Sequence, residues 1–349
     1  MLDCLVIGGG QSGLLCGHLL ARAGIGYQVL DAGPRAGEVW RQRPPSLRLF
    51  TSRQFCRLAD LPMAGDPSGY PSGLEFADYL EGFAKAKQVQ VSFATRVTGL
   101  SSLANGFEAQ LDNGEVIRCR SVINATGSNQ APVVPGFAQK LDAQIVQLTA
   151  GQFADAGFMP AGSRIAVVGD GASGRQIALE LAGQHQVFLA CGRQRKLVPN
   201  RVLGKDVFWW LNTLGILSAH HDSRVAAIIR KRDPIPVASA NNQVLAQRGV
   251  AIRARAIDAD STGLIFQDQR HQAVQAVIWC NGYREDTGWI QLPGAEAFGA
   301  AIGHEGRTSQ PGFFLMGRKW LSCRASELVV GANDDAARVV GYVRTHLGH

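Results

Sequence analysis

Two stretches of the chain carry the same succession of apolar and polar positions. In the first, the apolar run Cys4-Leu5-Val6-Ile7 breaks at Gly8-Gly9-Gly10-Gln11-Ser12-Gly13. A helical pattern then runs through Leu19 and Leu20 to a stop at Gly24, and a second apolar run covers Tyr27 to Leu30. This periodicity predicts strand, turn, helix, strand. The second stretch repeats it, with a strand from Ile165 to Val168, the turn Gly169-Asp170-Gly171-Ala172-Ser173-Gly174, a helix through Ile177, Leu179 and Leu181, and a strand from Val187 to Ala190. Each stretch closes downstream on a similar apolar run, Val122-Ile123-Asn124-Ala125-Thr126-Gly127 in one case and Val277-Ile278-Trp279-Cys280-Asn281-Gly282 in the other, at comparable separations.

One βαβ unit used twice predicts an α/β fold of two Rossmann-like dinucleotide-binding domains, the second inserted into the first. The expected boundaries are 1–145 for the first part of the outer domain, 146–284 for the inserted domain, and 285–349 for the returning part. Pro132, Pro135, Pro160 and Gly162 punctuate the outward linker, and residues 64–71 read as a surface loop.

The glycines work by omitting side chains. Gly8 permits the tight turn, Gly10 lets a diphosphate approach the backbone, and Gly13 lets helix pack against strand, with Gln11 and Ser12 between them at the helix start. Gly169, Gly171 and Gly174 repeat this around Ala172 and Ser173. The free N–H groups and positive dipole of each helix start favour an anion. Asp31, at the end of the second strand, is placed to accept both ribose hydroxyls of an adenosine, as FAD offers. At the same offset in the second unit stands Gly192, followed by Arg193, Arg195 and Lys196. The carboxylate that would repel a 2′-phosphate is missing and guanidinium groups are present, so the second unit is expected to take NADPH, with Arg193 on the 2′-phosphate. A solvated basic loop is the plainer reading of those residues.

Composition adds limits. The 349 residues are 46% hydrophobic, ample for two cores, and the 41 glycines exceed the roughly 7% of average usage. The net charge of +7 comes without a basic run, so anionic cofactors explain it better than nucleic acid, which is not expected as a partner. No apolar stretch reaches the ~18 residues of a spanning helix, so no stable membrane insertion is expected, and the start of the chain reads as a cytoplasmic protein. The seven cysteines are scattered with no C-x-x-C, which predicts reduced core thiols and neither a paired dithiol nor a cysteine-rich metal site. His220-His221 lacks further ligands nearby, so no metal is assigned, and Trp209-Trp210 reads as packing.

Between the first fingerprint and the closing run lie Gly37-Glu38-Val39-Trp40-Arg41 and Ser46-Leu47-Arg48-Leu49-Phe50-Thr51, then Ser52, Arg53 and Gln54. A loop with Trp40, Arg41, Leu47, Thr51 and Gln54 this near the fingerprint is expected to wrap the FAD diphosphate and cover the flavin ring. With Tyr70-Pro71-Ser72, Ala125-Thr126-Gly127, Asn281-Gly282-Tyr283 and Pro311-Gly312-Phe313-Phe314-Leu315-Met316-Gly317, the order of landmarks resembles the class B flavin-dependent monooxygenases over nearly the whole chain. That group includes flavin-containing monooxygenases, YUCCA-type enzymes and Baeyer-Villiger relatives.

The resemblance implies FAD and NADPH as cofactors, with Thr126, Gly127, Asn281, Gly282 and Gly317 lining their sites. It implies hydride transfer to the flavin and oxygenation, through a C4a-peroxyflavin, of a small N-, S- or ketone-containing substrate by O2. It also suggests that Asp334 and Asp335, after Gly331, lie on a C-terminal helix near the flavin, with an exposed helix start as the equal alternative. No catalytic acid, base or nucleophile is singled out, and a homodimer is the default assembly. One departure stands out: where the family linker has F-x-G-x-x-x-H, this chain has Phe137-Ala138-Gln139 and then Gln147 near the expected His. The alternative function is an NADPH-dependent flavoprotein reductase or oxidase that passes electrons to a quinone, a disulfide or O2 without inserting oxygen.

Overall fold

The computed structural model describes residues 1–193, 195–295 and 304–349, so residues 296–303 of the expected returning part lie outside the described residues. Among the described residues the chain builds two main sheets. The first runs in the order Ile290–Gln291, Val97–Leu103, Gly106–Leu111, Val116–Asn124, Leu2–Ile7, Tyr27–Leu30, Val91–Ser92, and Phe313–Leu315 pairs with the far end of Val116–Asn124. Its centre is parallel, with Ile7 opposite both Leu30 and Asn124. A buried parallel strand needs apolar residues on both faces, and Cys4, Leu5, Val6 and Ile7 supply them.

The second sheet runs Ala251–Arg253, Gln186–Ala190, Arg164–Val168, Ala276–Trp279, Val146–Thr149, all in parallel. Thus the chain leaves the first sheet after Asn124, completes the second, and returns to the first at Ile290, which is the insertion that the repeated pattern predicts. Where the two crossings pass each other they pair antiparallel, Ala131–Pro132 against Tyr283–Arg284.

Each unit buries its own core. In the first, helix Gln11–Arg22 packs Leu14, Leu15 and Leu20 against Phe76, Leu80 and Phe83 of helix Gly73–Ala86 and against Val339 and Val343 of helix Val329–Leu347. The phenylalanines are fully buried, and deleting either ring would cost about 3–5 kcal/mol. In the second, helix Ala172–Leu181 sets Ile177 and Leu181 against Ile165, Val167, Leu189 and Ile278. Helix Gly73–Ala86 starts at a complete capping box, Ser72 with Glu75, just after the 64–71 loop. Helix Val329–Leu347 begins before Asp334 and Asp335. Asp335 is buried inside it, accepting from Ser322 Oγ at 2.5 Å and from Arg338 at 2.7 Å, and Asp334 is exposed. Among the described residues no helix is long and apolar enough to cross a membrane.

Candidate active site

The first fingerprint folds as a closed turn with one open face. Gly8 has φ +105°, and a Cβ there would lie 2.7 Å from the Ala125 carbonyl oxygen. A Cβ on Gly13 would overlap the Gly8 carbonyl. At Gly10, by contrast, a Cβ would meet no atom within 4 Å. Helix Gln11–Arg22 starts there with no side-chain cap and no acidic residue in its first turn. Capped helices elsewhere in the chain, at Ser72, Ser223 and Asn241, each satisfy one first-turn N–H group internally. Here the first-turn N–H groups face open space, which is the cradle that a diphosphate requires.

Ser12 is buried at the helix start, and a Cβ on Gly317, at φ +69°, would lie 2.8 Å from its hydroxyl. Gly317 therefore brings the end of the returning strand against the cradle. The Asp31 carboxylate accepts from Gly9 N at 2.6 Å and from Gly33 N at 2.7 Å, which fixes it at the strand end while each oxygen keeps a second lone pair. Thr126 donates to Asn124 Oδ1 at 2.7 Å and accepts from Gln130 at 2.7 Å, and the Gly127 carbonyl accepts from Gln130 and from Arg318.

The loop after the fingerprint divides by partner. Trp40 sits edge-on to Phe76 at 5.1 Å, and Arg41 is committed to Asp78 at 2.5 Å and Glu81 at 2.8 Å on helix Gly73–Ala86. Thr51 is buried with its hydroxyl 3.4 Å from Cys56 Sγ, and the Gln54 side chain donates to Ser52 Oγ at 3.1 Å. These four tie the loop to its own unit. Leu47 instead packs partly on the core and partly lines a crevice against the second unit.

The second fingerprint repeats the first. Gly169, at φ +110°, abuts the Cys280 carbonyl, a Cβ on Gly174 would overlap the Gly169 carbonyl, and Asn281 Oδ1 lies 3.1 Å from the Cβ position of Gly169. Gly282 turns the chain away at φ +87°. Helix Ala172–Leu181 begins at Gly171, Ala172 and Ser173, again without a side-chain cap or an early acid. The atom nearest a Cβ on Gly171 is a guanidinium nitrogen of Arg195, 4.0 Å away. Arg195 also pairs with Asp233 at 3.3 Å, whereas Arg193 donates to the Lys231 carbonyl at 2.5 Å. The guanidinium at the mouth of the cradle is thus that of Arg195.

Several polar residues escaped the sequence reading. Asp170 accepts from Gly192 N at 3.1 Å and pairs with Arg175 at 3.3 Å. Arg175, only 4% exposed, also donates to the Ala240 carbonyl at 3.0 Å and Asn242 Oδ1 at 2.9 Å. Arg318 is buried beside Glu285 at 3.2 Å and reaches both Thr126 and Gly127, so it joins the outward crossing to the return. Burial pushes the Glu285 carboxyl up, against the pull of Arg318. Only the adjacency of Arg318 to Gly317 hinted at such a role.

Gln147 sits in strand Val146–Thr149, where its amide donates to the Ala138 carbonyl at 3.2 Å and accepts from Trp279 Nε1 at 3.0 Å, with Phe137 edge-on to Trp279. It fastens the outward linker to the closing strand. Burial pushes the thiols of Cys4, Cys119 and Cys280 up to about 12 and those of Cys56 and Cys191 up to about 11, and all seven cysteines are free. His220, His221 and Asp222 lie close together at the surface, where the ring of His220 is already engaged by Asp222 and Glu305. Trp209 and Trp210 pack edge to face at 4.8 Å.

The family described as pyridine nucleotide-disulphide oxidoreductase matches residues 5–317. An uncharacterized oxidoreductase, CzcO-like, of Geobacillus kaustophilus is 34% identical over 348 residues, 99% of each chain. A flavin-containing monooxygenase from Stenotrophomonas maltophilia superposes with a TM-score of 0.80 at 24% identity, covering 99% of this chain and 98% of that one. OTEMO, solved in complex with FAD and NADP, superposes with a TM-score of 0.72 at 19% identity, covering 99% of this chain and 85% of that one. These two structural likenesses establish a shared fold.

Proposed function

This chain belongs to the pyridine nucleotide-disulphide oxidoreductase family, and on that premise we propose that it is an FAD-containing, NADPH-dependent monooxygenase of the class B type. In this reading residues 1–145 and 285–349 hold FAD and residues 146–284 hold NADPH. The observation that carries its two-cofactor assignment is the matched pair of uncapped helix starts behind glycine cradles, with no atom nearer than 4.0 Å to the Cβ positions of Gly10 and Gly171. When bound, FAD would supply the hydride acceptance from NADPH and the O2 chemistry for oxygenating a small N-, S- or ketone-containing substrate.

The chain's own residues bind and orient. Helix starts at Gln11 and Ala172 receive the two diphosphates, Asp31 receives the adenosine ribose of FAD, and Arg195 meets the 2′-phosphate that distinguishes NADPH. The buried thiols point the same way: burial raises them and so disfavours the thiolate on which a dithiol relay depends. The test is anaerobic titration of the purified, flavin-loaded protein with NADPH. The visible flavin absorbance is expected to bleach at one equivalent. A protein that takes up no FAD, or whose flavin stays oxidised under NADPH, would end the reading.

A further inference from the structure

Between the two units runs a narrow crevice. The first unit contributes Arg43, Ser46 and Leu47, and the second contributes Ser173, Gln176 and Glu180. The last three recur at helical spacing on one face of Ala172–Leu181, so it is the flank of the second fingerprint helix, next to its uncapped start, that looks toward the first unit. We infer that Arg43, a residue of the first unit, binds the diphosphate of the dinucleotide held by the second. The inference rests on the proposed NADPH reading of that unit and adds to it a contact from across the crevice.

Three observations place Arg43 there. Its guanidinium donates to the Tyr283 hydroxyl at 3.2 Å and lies 5.9 Å from the centre of that ring. Tyr283 directly follows Asn281 and Gly282, and its hydroxyl lies 3.6 Å from the Cβ position of Gly151, just beyond the end of strand Val146–Thr149. Arg43 therefore stands at the carboxyl edge of the second sheet, the side on which ligands of parallel α/β sheets bind. Lastly, among the described residues Arg43 is in no ion pair, unlike Arg41, Arg53, Arg195 and Arg318. The one carboxylate lining the crevice, Glu180, accepts the Ser46 hydroxyl. A half-buried guanidinium fork in no ion pair, held by the Tyr283 hydroxyl, matches a diphosphate in both charge and two-pronged geometry.

The placement has a consequence for the reaction. A cation from the flavin-holding unit on the dinucleotide of the other unit seats NADPH only when the two units are correctly juxtaposed, which makes Arg43 a positioning residue for hydride transfer. Because it addresses the diphosphate, it serves NADP+ and NAD+ alike, whereas Arg195 serves only the 2′-phosphate. The experiment measures equilibrium binding of NADP+ and NAD+ to the FAD-loaded protein by calorimetry, with flavin content determined alongside, for wild type, Arg43→Ala, Arg43→Lys and Arg195→Ala. Arg43→Ala is expected to weaken both nucleotides by the same factor, roughly ten- to a hundredfold, with full flavin content. Arg43→Lys should fall between wild type and alanine, and Arg195→Ala should weaken NADP+ alone. Unchanged affinities in Arg43→Ala would overturn the inference, as would loss of flavin, which would assign Arg43 to FAD. Wild-type protein that binds neither nucleotide would instead sink the reading of the second unit.

Discussion

Arg193 and Arg195 stand two positions apart on the same loop, yet they meet different partners. The offset from Gly174 points to Arg193, but its guanidinium spends its hydrogen bond on the Lys231 carbonyl, and it is Arg195 that reaches toward Gly171. A fingerprint shows where a strand ends; which of the next few side chains turns back toward the cradle depends on a distant helix, here Arg224–Arg232, which ends beside Asp233. The same limit applies to Arg41 and Arg43, since their segment looked like a wrapping loop as a whole and only the fold assigns one to helix Gly73–Ala86 and the other to the crevice. Arg195→Ala is therefore expected to lower kcat/KM for NADPH by roughly ten- to a hundredfold while leaving NADH nearly unchanged, a loss of about 1.5–3 kcal/mol of charge-assisted contact. Arg193→Ala should change the ratio of the two cofactors far less. Steady-state kinetics with both nucleotides checks this, and a larger effect at Arg193 would reverse the assignment.

The elements themselves were far more legible than their side chains. Strand, glycine turn and helix stand in both units where the apolar periodicity places them, because a buried parallel strand and the helix covering it leave few alternatives for residues such as Val6, Leu14, Val167 and Ile177. The glycines in each turn then separate into two kinds with opposite consequences. Gly13 is structural, since a Cβ there collides with the Gly8 backbone; Gly10 is spatial, since a Cβ there meets nothing. Gly13→Ala is accordingly expected to destabilise the flavin-free protein by about 1–3 kcal/mol or more. Gly10→Val should leave the flavin-free melting temperature as in wild type but abolish the rise that FAD produces in wild type. Thermal unfolding with and without FAD measures both. A Gly10→Val protein that still gains stability from FAD would show that the diphosphate lies elsewhere.

At the scale of the whole molecule the central feature is how the inserted unit is held against its host. Two crossings pair as Ala131–Pro132 and Tyr283–Arg284, Arg318 and Glu285 join the outward crossing to the return, and Asp206 of the inserted unit accepts from Ser52 N at 2.9 Å in the host. Phe208, two positions after that aspartate, stacks on Phe50 at 6.1 Å within a cluster that includes Phe55, Leu217 and Leu328. Trp209 thus packs between the units, as the apolar character of its segment suggests, while Trp210 packs on Trp209 and donates to the Val202 carbonyl at 2.9 Å within the inserted unit. None of these cross-unit contacts has a short-range signature, since each joins residues far apart in sequence. Gln147, where the family pattern expects His, has a structural post between Ala138 and Trp279, so its presence is compatible with oxygenation as well as with simple electron transfer. What separates the two is the fate of O2. Joint measurement of NADPH oxidised, O2 consumed, H2O2 released and product formed, with and without a thioether or ketone, tests the proposed function most directly. A substrate that accelerates NADPH oxidation, lowers peroxide and gains one oxygen atom per O2 consumed is the predicted result, whereas NADPH and O2 turned entirely into peroxide, with no thioether, amine or ketone oxygenated, would contradict it and leave a reductase or oxidase.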